Sequence, residues 1–168
     1  EDIVIAFERV EAARDDVPLT YFEFGTLAAL AVFDAATVDT AILEVGLGGR
    51  LDAVNVVDPD ASLITNVSLD HCEWLGDNVE KIGFEKAGIM RPGRPAVFAD
   101  PDMPASVASH AELLGAELLR AGREYTWTTE VNARWSWRGE RVELSELRVP
   151  ALPGPIQLQN AAGALALV

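Results

Sequence analysis

Between residues 3 and 13 apolar and charged positions alternate at helical spacing, which predicts a first helix. Thr20 stands where an N-cap belongs, and Glu23, three residues on, completes a capping box for a second. Phe22, Leu27, Leu30, Val32 and Phe33 give that second helix an apolar surface to bury. The runs then shorten. Residues 40–45 are apolar and rich in branched side chains, and Gly46 stops them, the pattern of a buried parallel strand. Residues 62–66, 95–99 and 117–120 read as further strands. Helices fit 79–90, with Pro92 and Gly93 just past its end, and 104–114. Strand and helix alternating at this rhythm predict an α/β fold, a mainly parallel sheet flanked by helices.

After Gly122 the texture changes. Residues 125–129, 134–137 and 141–144 alternate apolar and polar, and Arg138-Gly139-Glu140 reads as a hairpin turn. This predicts a small antiparallel β appendage over 123–150. Pro150, Pro153 and Pro155 make a stiff connector into a last helix from Gln157, which Gly163 interrupts. The expected organisation is therefore 1–122 as part of an α/β domain, 123–150 as the ribbon, and 151–168 as connector and start of a helix. The chain opens on Glu1, and no stop signal follows Gly163, so it is expected to be an internal piece of a longer protein.

Composition narrows the class. The 168 residues are 49% hydrophobic and 24% charged, as in an ordinary globular domain. The net charge of −14 argues against a general nucleic-acid binder, which needs clustered Lys and Arg. The single cysteine, Cys72, permits no intrachain disulfide, and a reduced cytoplasmic setting follows. The most apolar run, 27–33, is too short to span a bilayer, so no membrane partner is expected.

The chemistry gathers in one part of the chain: Glu44 at a strand end, the glycine loop from Val45 to Ala53, the Asp70-His71 pair, and Lys86 inside a helix. Ligands of an open parallel sheet collect at the carboxyl ends of its strands. The loop departs from the dinucleotide fingerprint because Leu51 stands where a third glycine belongs, and the P-loop pattern is absent. By spacing alone it is either a tight turn or a place where a planar ligand or phosphate approaches the main chain. Glu44, between Leu43 and Val45 on a strand buried on both faces, would have to be paired, protonated or bound to metal. A salt bridge to Arg50 or Lys86 is the plain alternative. His71 is either a loop histidine bonded to Asp70 or, with Glu44, a ligand of Mg²⁺, for which histidine is atypical. Lys86 either pairs with Glu85 or Glu44, binds phosphate, or reacts with CO₂ to form a carbamate.

The strings ILEVGLGGRLDAVN (42–55), SLDHCEWLG (68–76), GFEKAGIMRPGRPAV (83–97) and LQNAAGALAL (158–167) resemble the folylpolyglutamate synthases, in particular the bifunctional dihydrofolate synthase/folylpolyglutamate synthases of the Mur ligase superfamily. LTYFEFGTLAAL (19–30) and DPDMP (100–104) extend the likeness. The resemblance implies a Mur-ligase central domain with a P-loop NTPase-type core. It implies an ATP-dependent ligase in the full-length protein. A carboxylate is phosphorylated to an acyl phosphate, and the amino group of L-glutamate displaces phosphate to form an amide. Dihydropteroate and reduced folates are the implied acids, Mg²⁺ the implied metal, and a monomer the implied state.

Carried over by position, Glu44 and His71 match the family's metal ligands and Lys86 its carbamylated lysine. Thr20, Tyr21, Phe22, Glu23, Leu51, Asp52 and Ala53 match the segments lining the dihydropteroate pocket, and Asn160 matches an asparagine near the nucleotide. Val54 stands where the family usually has Thr, and Cys72-Glu73 where it often has Thr-Asp. The family's GKT/S loop and glutamate-binding domain are absent from these residues, so this piece alone is expected to be inactive. The competing readings are another Mur-type amino-acid ligase, a Rossmann-type nucleotide-binding module, a metal hydrolase and a non-catalytic interaction module. Two histidines leave too few ligands for a typical zinc site.

Overall fold

The computed structural model describes residues 2–131, 133–154 and 156–168. They form two compact units, one of described residues up to 47 and 51–57, the other of described residues 48–50 and from 58 on.

In the first unit α1 (Asp2–Arg14) packs on α2 (Tyr21–Ala36) through Ala6, Val10 and Ala28, with Leu19, Phe24, Ala31 and Val32 around them. The ring of Phe7 meets that of Phe24 edge-on at 5.5 Å. The expected capping box is present: Glu23 N–H donates to Thr20 Oγ1, and Thr20 N–H donates to the Glu23 carboxylate. The α2 face is buried less fully than its pattern suggests. Phe22 and Leu27 are exposed, Leu30, Val32 and Phe33 half-buried, and only Thr26 and Ala28 buried.

The strand expected over 40–45 is not formed: these residues pair with no strand among the described ones. Branched apolar composition favours extended backbone, but a strand exists only through a ladder with a neighbour. Ile42 is 91% exposed, and Glu44 is exposed too, not enclosed between two apolar faces. A short 3-10 helix, Ala53–Val56, which the periodicity does not signal, lies against α2.

The second unit holds the parallel sheet, with β1 (Ser62–Ile64), β2 (Pro95–Phe98) and β3 (Glu117–Arg120) in that order. Alternation along β2 sends its side chains to two cores. Ala96 and Phe98 join Ala87 and Met90, Val107 and Ala111 on the face covered by α4 (Val79–Ala87) and α5 (Ala105–Leu114). Val97 joins Ala121, Tyr125, Trp135, Trp137 and Ala162 on the other. That second face is covered by α6 (Gln157–Leu165) and by the antiparallel ribbon β4 (Thr126–Glu130), β5 (Arg134–Arg138) and β6 (Glu143–Arg148).

Three polar aromatic ends are satisfied inside. Trp137 Nε1 donates to Ala162 O at 3.0 Å, Trp135 Nε1 to Arg148 O at 2.9 Å, and Tyr125 Oη to Phe98 O at 3.3 Å. Gly163, a helix interruption by propensity, is where α6 comes nearest the sheet: a Cβ there would stand 2.8 Å from Ala99 Cβ. The last strand begins at Glu143, later than expected, because the hairpin closes through Gly139 N–H to Val142 O. The connector proline Pro155 lies outside the described residues. No helix among the described residues is long and apolar enough to cross a membrane.

Candidate functional site

The first unit brings two of the expected substrate segments to one point. The Asp52 carboxylate accepts Gly46 N–H and Leu47 N–H through Oδ2, at 3.1 and 3.0 Å, and Val54 N–H through Oδ1, at 3.0 Å. One side chain thus folds the glycine turn and caps the 3-10 helix, as an acidic N-cap does. The Phe22 ring closes on the same turn: a Cβ on Gly46 would lie 2.9 Å from Phe22 Cζ and 3.4 Å from Asp52 Oδ2. Phe22, from the second helix, and Asp52, from the loop, therefore meet at Gly46. Ala53 is half-buried in the turn, whereas Tyr21, 97% exposed, and Leu51, 79% exposed, present their apolar side chains to solvent.

Thr20 and Glu23 are occupied with each other as the helix cap. The Thr20 N–H holds the Glu23 carboxyl below the usual carboxylate range. Their position at this end of α2 is thus explained by capping. Glu44 is also in the first unit, where its side chain is exposed and makes no hydrogen bond or ion pair with a described residue of that unit. Within the second unit Arg50 pairs with Glu85.

His71, Lys86 and Asn160 are in the second unit. His71 follows β1 by a short loop and starts the single turn α3 (Cys72–Leu75) in a left-handed conformation, φ 50°. Its N–H donates to Asp70 Oδ1 at 2.8 Å, but its Nε2 stands 3.7 Å from Asp70 Oδ2, too far for a hydrogen bond. The expected histidine–aspartate bond is thus made by the backbone, and the imidazole is exposed. Lys86, in the last turn of α4, is half-buried, and its side chain pairs with no described residue of the second unit, Glu85 included.

Asn160 sits in α6 with a buried Oδ1 that has no hydrogen-bond partner among the described residues. An orphaned acceptor of this kind calls for a donor from outside these residues. The sequence pattern did not reveal the pairing of Arg50 with Glu85. Its only trace is Gly88 two positions past Lys86 and the Gly48-Gly49 pair before Arg50.

No group of three or more His, Cys, Asp and Glu side chains among the described residues is placed to hold a metal. Glu44 and His71 are two possible donors, one in each unit. A carboxylate such as that of Glu44 suits Mg²⁺, which keeps several waters and takes phosphate oxygens as its other ligands, whereas an imidazole such as that of His71 is atypical for it.

Residues 12–168 match the Mur ligase middle domain. The chain belongs to the Mur ligases. Within that family this middle domain is 47% identical, over 96% of its length, to the dihydrofolate synthase/folylpolyglutamate synthase of Escherichia coli K12, and spans 37% of that relative's length. Its fold superposes on E. coli FolC in complex with DHPP and ADP with TM-score 0.92 and 43% identity, covering 99% of this chain and 40% of that one. The Yersinia pestis bifunctional folylpolyglutamate synthase/dihydrofolate synthase complexed with AMPPNP and a Mn ion gives TM-score 0.90 and 49% identity, over 99% of this chain and 39% of that one. The parallel sheet with flanking helices and the antiparallel ribbon are thus the Mur-ligase middle-domain fold.

Proposed function

We propose that the full-length protein is an ATP-dependent amide ligase that adds L-glutamate to dihydropteroate and to folates carrying a glutamate tail, and that this chain supplies part of its central ATP- and folate-binding domain. The observation that carries the reading is the match over 99% of the chain to a relative holding both DHPP and ADP. The turn built by Phe22, Gly46 and Asp52 supports it, since it leaves Tyr21 and Leu51 exposed beside the joint for a flat, largely apolar ligand.

In this reading Thr20, Tyr21, Phe22, Glu23, Leu51, Asp52 and Ala53 form the pterin side of the pocket. Asn160 Oδ1, which lacks a partner among the described residues, accepts a hydrogen bond from the nucleotide. Glu44 and His71 would hold Mg²⁺, which when bound neutralises charge on the transferred phosphoryl group. The substrate carboxylate attacks the γ-phosphorus of ATP and releases ADP. The glutamate amine then attacks the acyl carbon, expels phosphate and loses a proton. Lys86 enters as its carbamate, formed when the neutral amine adds CO₂ and releases a proton, which turns a cationic side chain into an anionic one.

The test is phosphate release by the full-length protein with ATP, Mg²⁺, L-glutamate and dihydropteroate. Release that needs all four is expected. Release with a different amino acid in place of L-glutamate assigns another Mur-type ligase and overturns the proposal.

A further inference from the structure

Gly48, Gly49 and Arg50 belong to the second unit, although Leu47 and Leu51 on either side of them belong to the first. They lie along the last turn of α4, where helix carbonyls lack partners from their own helix. Ile89 N–H donates to Lys86 O, and the Glu85 carbonyl is met from outside by Arg50 N–H at 2.9 Å. The Arg50 side chain then folds over the same residue. Its Nε lies 3.2 Å from both Glu85 carboxylate oxygens and its Nη2 3.0 Å from Oε1, while the guanidinium stands 5.9 Å from the centroid of the Phe84 ring. Glycines on both sides allow this approach. A Cβ on Gly49 would stand 2.9 Å from Glu85 O and 3.1 Å from Lys86 O, and one on Gly88 only 2.4 Å from Arg50 Cβ.

The turn grasped in this way is the one that carries Lys86. Lys86 is half-buried there, and its side chain makes no hydrogen bond or ion pair with a described residue of its unit. We propose that Arg50 and Glu85 are positioning residues for Lys86: the strap Gly48–Arg50 holds the end of α4 so that the Lys86 amine is presented in one direction. The proposal rests on the reading of Lys86 as the carbamate-bearing lysine.

The experiment uses the full-length protein with Arg50→Ala, Glu85→Ala, Arg50→Lys, Gly88→Ala, Lys86→Arg, the single reversals Arg50→Glu and Glu85→Arg, and the charge exchange that combines those two. Arg50→Ala and Glu85→Ala are expected to lower kcat about tenfold while leaving KM for ATP and L-glutamate within about twofold, the signature of lost positioning. Added bicarbonate is expected to return part of the lost kcat, because it raises the carbamate fraction of a poorly held lysine. Arg50→Lys, which keeps the charge without the fork, falls between. The charge exchange recovers activity relative to either single reversal. Gly88→Ala, which pushes the strap off the helix, costs more than either alanine variant.

Loss of kcat with no response to bicarbonate and no recovery on charge exchange or in Arg50→Lys would overturn the proposal and leave the pair a purely structural contact. An inactive Lys86→Arg beside unaltered Arg50→Ala and Glu85→Ala overturns it alone. A fully active Lys86→Arg overturns the reading of Lys86 and the proposal with it.

Discussion

Asp52 shows how much one side chain organises. Its carboxylate takes three backbone N–H groups, two from the glycine turn and one from the 3-10 helix. Asp52→Ala leaves those donors without their acceptor and is expected to destabilise the chain by about 1–3 kcal/mol in urea unfolding. On the proposed function, the same change in the full-length protein is expected to raise KM for the folate substrate more than that for ATP, and equal effects on both would refute the proposed place of Asp52 in a pterin pocket. The motif letters mark Asp52 as a site residue, but its role as the knot of the turn appears only with coordinates, because the amides it binds are main-chain groups that every residue has. Glu44 makes the opposite case. Its sequence neighbours predict a buried carboxylate, yet it is exposed, since alternation assigns faces only after a neighbouring strand exists to define them.

Among the elements, helix starts follow most directly from sequence. Thr20 and Glu23 form their capping box within four residues, and Thr20→Ala is expected to cost about 1 kcal/mol, read as faster amide exchange in the first turn of α2. The N-terminus of α5 is less legible. Its N-cap, Pro104, offers no side-chain bond, and the Ala105 and Ser106 N–H groups are taken by the carboxylate of Glu80, from the first turn of α4. Those bonds, the Ser106 N–H foremost, lower the Glu80 pKa. A group with a depressed folded-state pKa adds stability above its unfolded pKa, roughly 4.3, and that stability is lost as pH falls through the folded value. Glu80→Gln should therefore flatten the acid limb of the stability–pH curve below about pH 5, and an unchanged acid limb would refute the cap.

The same two helices touch at Gly83, where a Cβ would stand 2.7 Å from Ser106 Oγ and 3.2 Å from Pro104 Cβ. Gly83→Ala is expected to lower stability by about 1–3 kcal/mol in thermal unfolding, despite the better helix propensity of alanine. Nothing local in the sequence marks Gly83, since the crowding comes from residues more than twenty positions away.

For the whole molecule, a chain spanning 37% of its relative's length and lacking a Gly-Lys-Thr/Ser motif is expected to show no ATP-dependent ligation by itself. A coupled assay of phosphate release from the isolated chain with ATP, dihydropteroate and L-glutamate checks this, and measurable turnover would contradict it. The strand–helix rhythm and the switch to alternating residues after Gly122 determined the parallel sheet, its helices and the ribbon, because periodicity is a local property that matches two simple backbone repeats. The motif strings determined the family. Tertiary structure alone decided that 40–45 stays unpaired, that Asp52 binds the glycine turn, and that Arg50 reaches Glu85 thirty-five residues away. Each of these depends on which backbone groups meet across long loops, and the free energy of such meetings is set by the assembled fold, not by any window of the chain.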